Sequence, residues 1–259
     1  MTWHLPLSTP DGAQLWGSDD YPAAADAQTP AQRRLKQEEA LLGEALNGEP
    51  FAFSHAPNGA PLLQSTPPLR LSVSHSGEHL VLLLSNPHHL PGVDLERIGA
   101  KAERVRERFM DSTELQTYHA LLAAHPQAAR IWAHAVWTAK EAAYKIFCPA
   151  DASLKNNFRL QAAPVMPARA TGCPHPNLPE QSVSYLEELT AAPQFTLVCS
   201  LSEPQTVPRL IGAIPVEAAP TGRPDSYHYP AGWAITAEFN AALLKGYLLC
   251  TLTVPVCTP

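Results

Sequence analysis

Hydrophobic and polar positions change their period several times along the chain, and each period predicts an element. Residues 29–46 have a helical period, with apolar side chains on one side and charged ones on the other. Residues 69–74 (LRLSVS) alternate with period two, which is typical of a half-buried strand. Residues 79–85 are almost continuously apolar and predict a strand buried on both faces, and residues 92–96 (GVDLE) predict another short strand.

The second half of the chain begins with helices. A charge-dense surface helix is predicted over 100–109, a helix start at 111–114 and the longest helix over 128–147, where Pro149 follows. The remaining strand candidates are 51–55, 158–160, 183–189 and 195–201, with a proline-rich loop over 164–179.

This order of helix, strands, helices and strands predicts an α+β fold with an antiparallel sheet. We expect two similar halves that meet near residue 98, namely residues 1–98 and 99–202. The third segment, 203–259, holds eight prolines and seven charged residues, and no pattern in it assigns it a role.

Composition narrows the class of protein. The chain has 259 residues, 45% of them hydrophobic, which is ordinary for a soluble protein, and its 27 prolines predict stiff, irregular connections. A net charge of −6 argues against nonspecific nucleic-acid binding. The five cysteines form no CxxC pair, the N-terminus has no signal-peptide pattern, and the apolar run 241–256 is too short and interrupted to span a membrane. We therefore expect a soluble cytoplasmic protein.

The sharpest chemical feature is the pair Asp94-x-Glu96. Residues two apart on a strand point to the same face, so the two carboxylates lie side by side and repel unless a cation joins them. Oxygen ligands of this kind suit Mg²⁺, which completes its shell with water and substrate phosphate. The alternative is a strand end that simply faces solvent.

A second feature lies on the longest predicted helix. Trp137, Glu141 and Lys145 are spaced four apart and share one face, with Lys140 and Tyr144 beside it. A carboxylate and ammonium groups on one face suit a site for metal and phosphate together. The alternative is an ordinary Glu–Lys helix pair with a tryptophan in the core.

A third feature is the strand end at 72–77 (SVSHSG). Its hydroxyls, imidazole and glycine can donate hydrogen bonds to a phosphate, although serine and glycine are also common where a strand enters a turn.

The three features share an order and spacing that is more specific than any one of them. SVSHSG, then GVDLE, then RFMDSTE at 108–114, then WTAKEAAYK at 137–145 resembles the 4′-phosphopantetheinyl transferases of the Sfp, or holo-acyl-carrier-protein synthase, type. The similarity covers roughly residues 30 to 202. Arg33-Arg34 at the head of a helix is a weaker similarity, and Ala60 stands where the family usually has a lysine.

The resemblance implies a pseudo-twofold monomer with coenzyme A and Mg²⁺ between its halves. Asp94, Glu96 and Glu141 would then be the magnesium ligands, with Glu141 also the base toward the incoming serine. The remaining assignments concern coenzyme A: Lys145, with Lys140 nearby, would lie against its phosphates, and Ser74 and His75 would contact its phosphate end. The reaction would transfer 4′-phosphopantetheine from coenzyme A to a serine of an apo carrier protein of fatty acid, polyketide or nonribosomal peptide synthesis. The other product would be adenosine 3′,5′-bisphosphate.

The acceptor would be an acyl or peptidyl carrier protein, which is acidic beside its serine. Five basic residues within twelve positions could attract it: Arg97, Lys101, Arg104, Arg106 and Arg108. The alternative is an ordinary solvated helix.

Two other functions stay open. One is a weakened relative that binds coenzyme A or a carrier protein without transfer, and the other is a magnesium-dependent phosphohydrolase in which the same carboxylates activate water.

Overall fold

A computed structural model describes most of the chain up to residue 163 and the strands that follow it. The described residues are 2–6, 12–19, 29–124, 126–147, 153–163, 196–201, 205–208, 226–229, 234–237, 240–244 and 247–255. Their helices are α1 (Pro30–Ala45), α2 (Ala100–Phe109), α3 (Ser112–Ala124), α4 (Pro126–Phe147) and the short α5 (Leu154–Asn157). The fold is mixed helix and antiparallel sheet, which confirms the predicted α+β class.

Seven strands build the two sheets that concern the site. The first sheet has the order β1-β2-β6-β5 and the second the order β13-β14-β7, and every pairing within them is antiparallel. Their bounds are β1 (Thr2–Pro6), β2 (Gln14–Ser18), β5 (Arg70–Ser76), β6 (His79–Ser85), β7 (His89–Arg97), β13 (Asn240–Leu244) and β14 (Tyr247–Pro255).

The remaining described strands form three smaller sheets, β3-β4, β12-β9-β8 and β10-β11. Their bounds are β3 (Phe51–His55), β4 (Pro61–Ser65), β8 (Phe158–Ala163), β9 (Thr196–Leu201), β10 (Gln205–Pro208), β11 (Ser226–Tyr229) and β12 (Ala234–Ala237).

Helix α1 covers one face of the first sheet. Thr29 caps it in a capping box with Gln32, and Pro30 occupies the first helical position, where no backbone N–H is needed. Leu41 and Leu42 are buried against the apolar side chains of β5 and β6. The opposite face of β6 joins β7 and β14 in a second core cluster, so β6 is buried on both faces as its apolar run predicts.

Helix α4 lies against β7 and β14 and is packed on its other side by α2 and α3. A run of alanines lets it approach the sheet closely, and Gly92 permits the contact. A Cβ atom at Gly92 would collide with the carbonyl oxygen of Ala142. The close approach sets the side chains of β7 directly opposite those of α4.

Serine hydroxyls join the two sheets. Ser72, Ser74 and Ser76 of β5 each accept a hydrogen bond from a backbone N–H of β7, at distances of 3.1, 3.1 and 3.3 Å. The donors advance along β7 in the same direction, namely Val93, Leu95 and Arg97. β5 and β7 therefore run side by side in the same direction and are joined by these serine side chains, although the two strands belong to different sheets.

The C-terminal segment contributes to this core. β14 lies within the extension 203–259, to which the sequence assigns no role, and it pairs with β7 over nine residues from Tyr247–Arg97 to Pro255–His89. The predicted strand 183–189 and the loop 164–179 lie outside the described residues. Within the described part of the chain, no helix is long and apolar enough to cross a membrane.

Candidate active site

Strand β7 presents Asp94 and Glu96 on the face that meets α4. Val93 and Leu95, which alternate with these carboxylates along the strand, point the other way, into the core shared with β6 and β14. The period-two prediction for the two carboxylates is thus reproduced by the strand, because both carboxylates bond to residues of α4.

The two oxygens of Asp94 have different surroundings. Oδ1 accepts one hydrogen bond from the Ser74 hydroxyl at 2.9 Å and another from the Lys145 ammonium at 2.8 Å. Oδ2 is buried and has no hydrogen-bond partner. A buried carboxylate oxygen without a partner is costly, so this oxygen is suited to bind a cation.

Glu96 is fixed by an aromatic side chain of α4. The indole N–H of Trp137 donates to Glu96 Oε1 at 3.1 Å, and the Lys101 ammonium lies 4.0 Å from the same oxygen. Lys101 also lies over the Trp137 ring, 5.6 Å from its centroid. These three side chains line a small open pocket together with Arg97, Ala102 and His134.

Glu141 is the third carboxylate of the group. Its pKa is raised to about 7, chiefly by burial and then by the nearby Asp94 and Glu96 carboxylates, against the opposing effect of the Lys145 and Lys101 ammonium groups. The negative charges of Asp94 and Glu96 therefore act on this residue. A carboxyl group with such a pKa exchanges its proton near neutral pH.

The two lysines of α4 have different positions. Lys145 Nζ donates to the carbonyl of Val93 and to Asp94 Oδ1, both at 2.8 Å, and its side chain is 29% exposed. Lys140 is fully buried, and its ammonium donates to the carbonyl of Phe109 at 2.6 Å and to Glu114 Oε2 at 2.7 Å.

The resemblance implies that Lys140 lies near the coenzyme A phosphates. In the structure its ammonium is instead buried against the Phe109 carbonyl and the Glu114 carboxylate. Lys140 projects toward the junction of α2 and α3, because the helix turns its side chain away from β7. Glu114, the last residue of the RFMDSTE segment, is the buried partner that neutralises it, and this segment acts here as an anchor for α4.

His75 follows Ser74 at the end of β5 and is exposed. Neighbouring protein atoms still displace part of the water around its ring, which lowers its pKa, and the positive charges of Arg34 and Lys145 lower it further, against an opposing effect of Asp94. Ser74 itself is buried and points at Asp94, so the expected pair separates into one inward and one outward side chain.

Arg34 is a residue of this region that the motifs alone do not assign. It lies on α1, and its Nε donates to Glu38 Oε1 at 2.8 Å. Glu38 is fully buried, with its other oxygen 3.2 Å from His55 Nε2. The only sequence signal for Arg34 is the Arg33-Arg34 pair at the head of the helix.

The basic residues around α2 do not all face solvent. Lys101, Arg104 and Arg108 are exposed and recur at intervals of three and four, so they share one face of α2. Arg97, at the end of β7, is also exposed and lines one pocket with Lys101, so we describe the four residues together as a basic stripe. Arg106 is half buried, lies over the Tyr118 ring at 5.1 Å and donates to the carbonyl of Glu103. The stripe therefore contains four of the five residues expected to attract a partner.

The donor set fits a magnesium ion that keeps water and substrate oxygens among its ligands. All candidate ligands are carboxylate oxygens, and Asp94 Oδ2 is buried without a partner. In the described residues, however, no three His, Cys, Asp or Glu side chains stand close enough to hold a metal by themselves. The three expected ligands thus do not form a closed cage, and Mg²⁺ typically needs only one or two protein carboxylates.

Comparison with known protein families identifies the class to which this part of the chain corresponds. Residues 91–189 match the model of the 4′-phosphopantetheinyl transferase superfamily, which confirms the resemblance over that range. The match contains the GVDLE strand and the α4 motif, whereas the serine strand end at 72–77 precedes it. At the level of the superfamily, the match supports a transferase of phosphopantetheine. No curated protein matches the chain.

Proposed function

We propose that this protein transfers 4′-phosphopantetheine from coenzyme A to a serine hydroxyl of an apo carrier protein, with Mg²⁺ as cofactor. One observation carries the proposal. The carboxylates of β7 lie opposite Glu141 and Lys145 of α4, within the segment that matches the superfamily. The proposal also includes what the family resemblance implies about architecture, namely a monomer of two similar halves with coenzyme A bound between them.

Asp94, Glu96 and Glu141 are the proposed magnesium ligands. Bound there, Mg²⁺ would neutralise charge on the pyrophosphate oxygens of coenzyme A. The protein contributes orientation: Ser74 and Lys145 fix Oδ1 of Asp94, and Trp137 fixes Oε1 of Glu96. Both carboxylates keep a second oxygen for the ligand.

Glu141 is the proposed base. The serine oxygen of the carrier attacks the β-phosphorus of coenzyme A, and the hydroxyl proton passes to the Glu141 carboxylate. The bond between the β-phosphorus and the oxygen that leads to the α-phosphate breaks, and adenosine 3′,5′-bisphosphate leaves. In the metal-free protein, the pKa of about 7 supports a role in proton transfer, because a carboxylate of that strength accepts a proton near neutral pH.

Cations beside the carboxylates are suited to the phosphates of coenzyme A. Lys145 is partly exposed next to Asp94, and Arg34 and Lys145 both act electrostatically on His75. We therefore assign Lys145, His75 and Arg34 to phosphate binding. Lys140 is left out of this set because its ammonium is buried with Glu114.

The acceptor is proposed to approach over α2. The stripe of Arg97, Lys101, Arg104 and Arg108 would attract an acidic carrier protein, although the whole chain carries a net charge of −6. Arg97 and Lys101 also line the pocket beside Glu96. A serine held at this pocket would lie next to the proposed metal ligands.

The proposal is tested by following coenzyme A with and without an acceptor. The purified protein is incubated with coenzyme A and Mg²⁺, and release of adenosine 3′,5′-bisphosphate is measured before and after an apo carrier is added. Release that depends on the carrier supports transfer. Release without any carrier would indicate a phosphohydrolase, and coenzyme A binding without release would indicate a binding protein.

A further inference from the structure

Ser74 stands out from two neighbours that share its backbone environment. Ser72, Ser74 and Ser76 each accept a hydrogen bond from a β7 N–H through the side-chain oxygen. Of these three hydroxyls, only that of Ser74 also bonds to a carboxylate, at 2.9 Å from Asp94 Oδ1. Ser72 therefore provides a natural reference for Ser74, because it is equally buried and makes the same strand contact.

The direction of the Ser74 hydroxyl is determined by its partners. Its oxygen accepts from the Leu95 N–H at 3.1 Å, and its single proton is donated to Asp94 Oδ1. Leu95 follows Asp94 directly in the chain. Ser74 thus holds both the backbone and the side chain of the same short segment.

The consequence for Asp94 is a fixed rotation of its carboxylate. Oδ1 has two donors, Ser74 and Lys145, and the remaining oxygen has none. A carboxylate with only the flexible Lys145 as donor could turn and exchange its two oxygens. Hydrogen bonds that orient a metal ligand are known to affect metal affinity strongly.

We propose that Ser74 is a positioning residue for Asp94, that it holds Oδ1 so that Oδ2 would be available to a magnesium ion, and that it does not contact coenzyme A itself. This inference rests on the proposed function for the identity of the metal. It changes the role that the family resemblance suggests for Ser74, and it leaves His75 as the residue of that strand end which faces the co-substrate.

The test compares Ser74→Ala with Ser72→Ala in the full-length protein. Mn²⁺, which prefers the same oxygen ligands as Mg²⁺, is titrated and its free concentration is read from its electron paramagnetic resonance signal. We expect Ser74→Ala to weaken Mn²⁺ binding by about tenfold or more, and Ser72→Ala to leave it within about twofold. Coenzyme A affinity, measured by calorimetry in EDTA, stays unchanged in both variants.

Three results would overturn the proposal. These are equal losses of Mn²⁺ affinity in the two variants, a loss of metal-free coenzyme A affinity in Ser74→Ala, and a wild-type protein that binds no Mn²⁺. If Ser74→Ala does not fold, Ser74→Cys fills the same space with a weaker donor and gives the same comparison. A protein whose Mn²⁺ affinity depends on Ser74 as predicted, and which yet transfers nothing, would refute the proposed function and leave this inference intact.

Discussion

Folding raises the pKa of the Glu141 carboxyl group, so this group keeps its proton to a higher pH. Its pKa is about 7 in the folded chain because the side chain is buried beside Asp94 and Glu96, against an ordinary value of 4.5. Between these two values the folded state holds a proton that the unfolded state has lost. The stability due to that proton is therefore complete below pH 4.5 and disappears as the pH rises through about 7.

A first prediction follows for Glu141→Gln in the absence of metal. At pH 8 the wild-type chain must bury a negative charge near two others, and the variant avoids this. We expect the variant to gain about 2 kcal/mol in free energy of unfolding at pH 8 and to lose most of that gain at pH 5. Urea unfolding in EDTA at both pH values measures it. An equal effect at the two values would contradict the assigned charge environment.

At the scale of single residues, the sequence predicts which carboxylates lie together better than it predicts their hydrogen-bond partners. The two-residue spacing of Asp94 and Glu96, and the four-residue spacing of Trp137, Glu141 and Lys145, depend only on local geometry. The bond between Ser74 and Asp94 depends on how two sheets meet, twenty residues apart in the chain. No local pattern indicates it.

At the scale of elements, Lys140 and Lys145 show how one helix serves two purposes. The Lys140–Glu114 pair is buried and connects α4 with α3, while the carbonyl of Phe109 ties the same ammonium to the end of α2. Lys145 connects α4 with β7 at the site. Both lysines belong to the same motif, WTAKEAAYK, so the sequence could not separate their roles without knowledge of which elements cover each face of the helix.

The second prediction contrasts Lys140→Met with Lys145→Met. Removal of the Lys140 ammonium leaves the Glu114 carboxylate buried and unpaired, and we expect a loss of about 3–5 kcal/mol in stability. Lys145→Met should cost about 1 kcal/mol, because that pair is partly exposed, and should abolish most of the coenzyme A affinity. Urea unfolding and calorimetric titration distinguish the two. A stable Lys140→Met protein that no longer binds coenzyme A would indicate that Lys140 takes part in coenzyme A binding.

The third prediction concerns the close approach of β7 and α4. Gly92→Ala would drive a methyl group into the Ala142 carbonyl and separate the strand from the helix, at a cost of about 1–3 kcal/mol. Gly43→Ala in α1 is the matched control, since a Cβ atom there meets nothing within 4 Å. We expect this control to gain about 0.5–1 kcal/mol. Thermal unfolding of both variants tests the difference, and equal effects would contradict the close approach.

At the scale of the whole molecule, the sequence predicts α1, α2, α4 and the strands β5 to β7 within a few residues. These elements have a clear period or cap. It does not reveal that β14 pairs with β7, because residues 247–255 read locally as a plain apolar run and their partner lies about 150 positions earlier. The C-terminal extension is thus joined to the strand that carries Asp94 and Glu96, and truncation before it would expose that strand.

The charge distribution is also a property of the whole molecule. A chain with a net charge of −6 carries an exposed stripe of four basic residues beside a cluster of carboxylates. Such a separation lets one face attract an acidic protein while the rest of the surface repels it. The composition alone gives only the net charge and not where the charged residues lie.

The most direct test of the account is the intact mass of an apo carrier protein after incubation with coenzyme A, Mg²⁺ and this protein. We predict that the wild type adds one phosphopantetheine group to the carrier, on its serine, whereas Asp94→Ala and Glu141→Ala add none over the same period. A carrier mass that never changes with any apo carrier, while the protein still binds coenzyme A, would contradict the transferase. Unchanged turnover in Asp94→Ala would contradict the site.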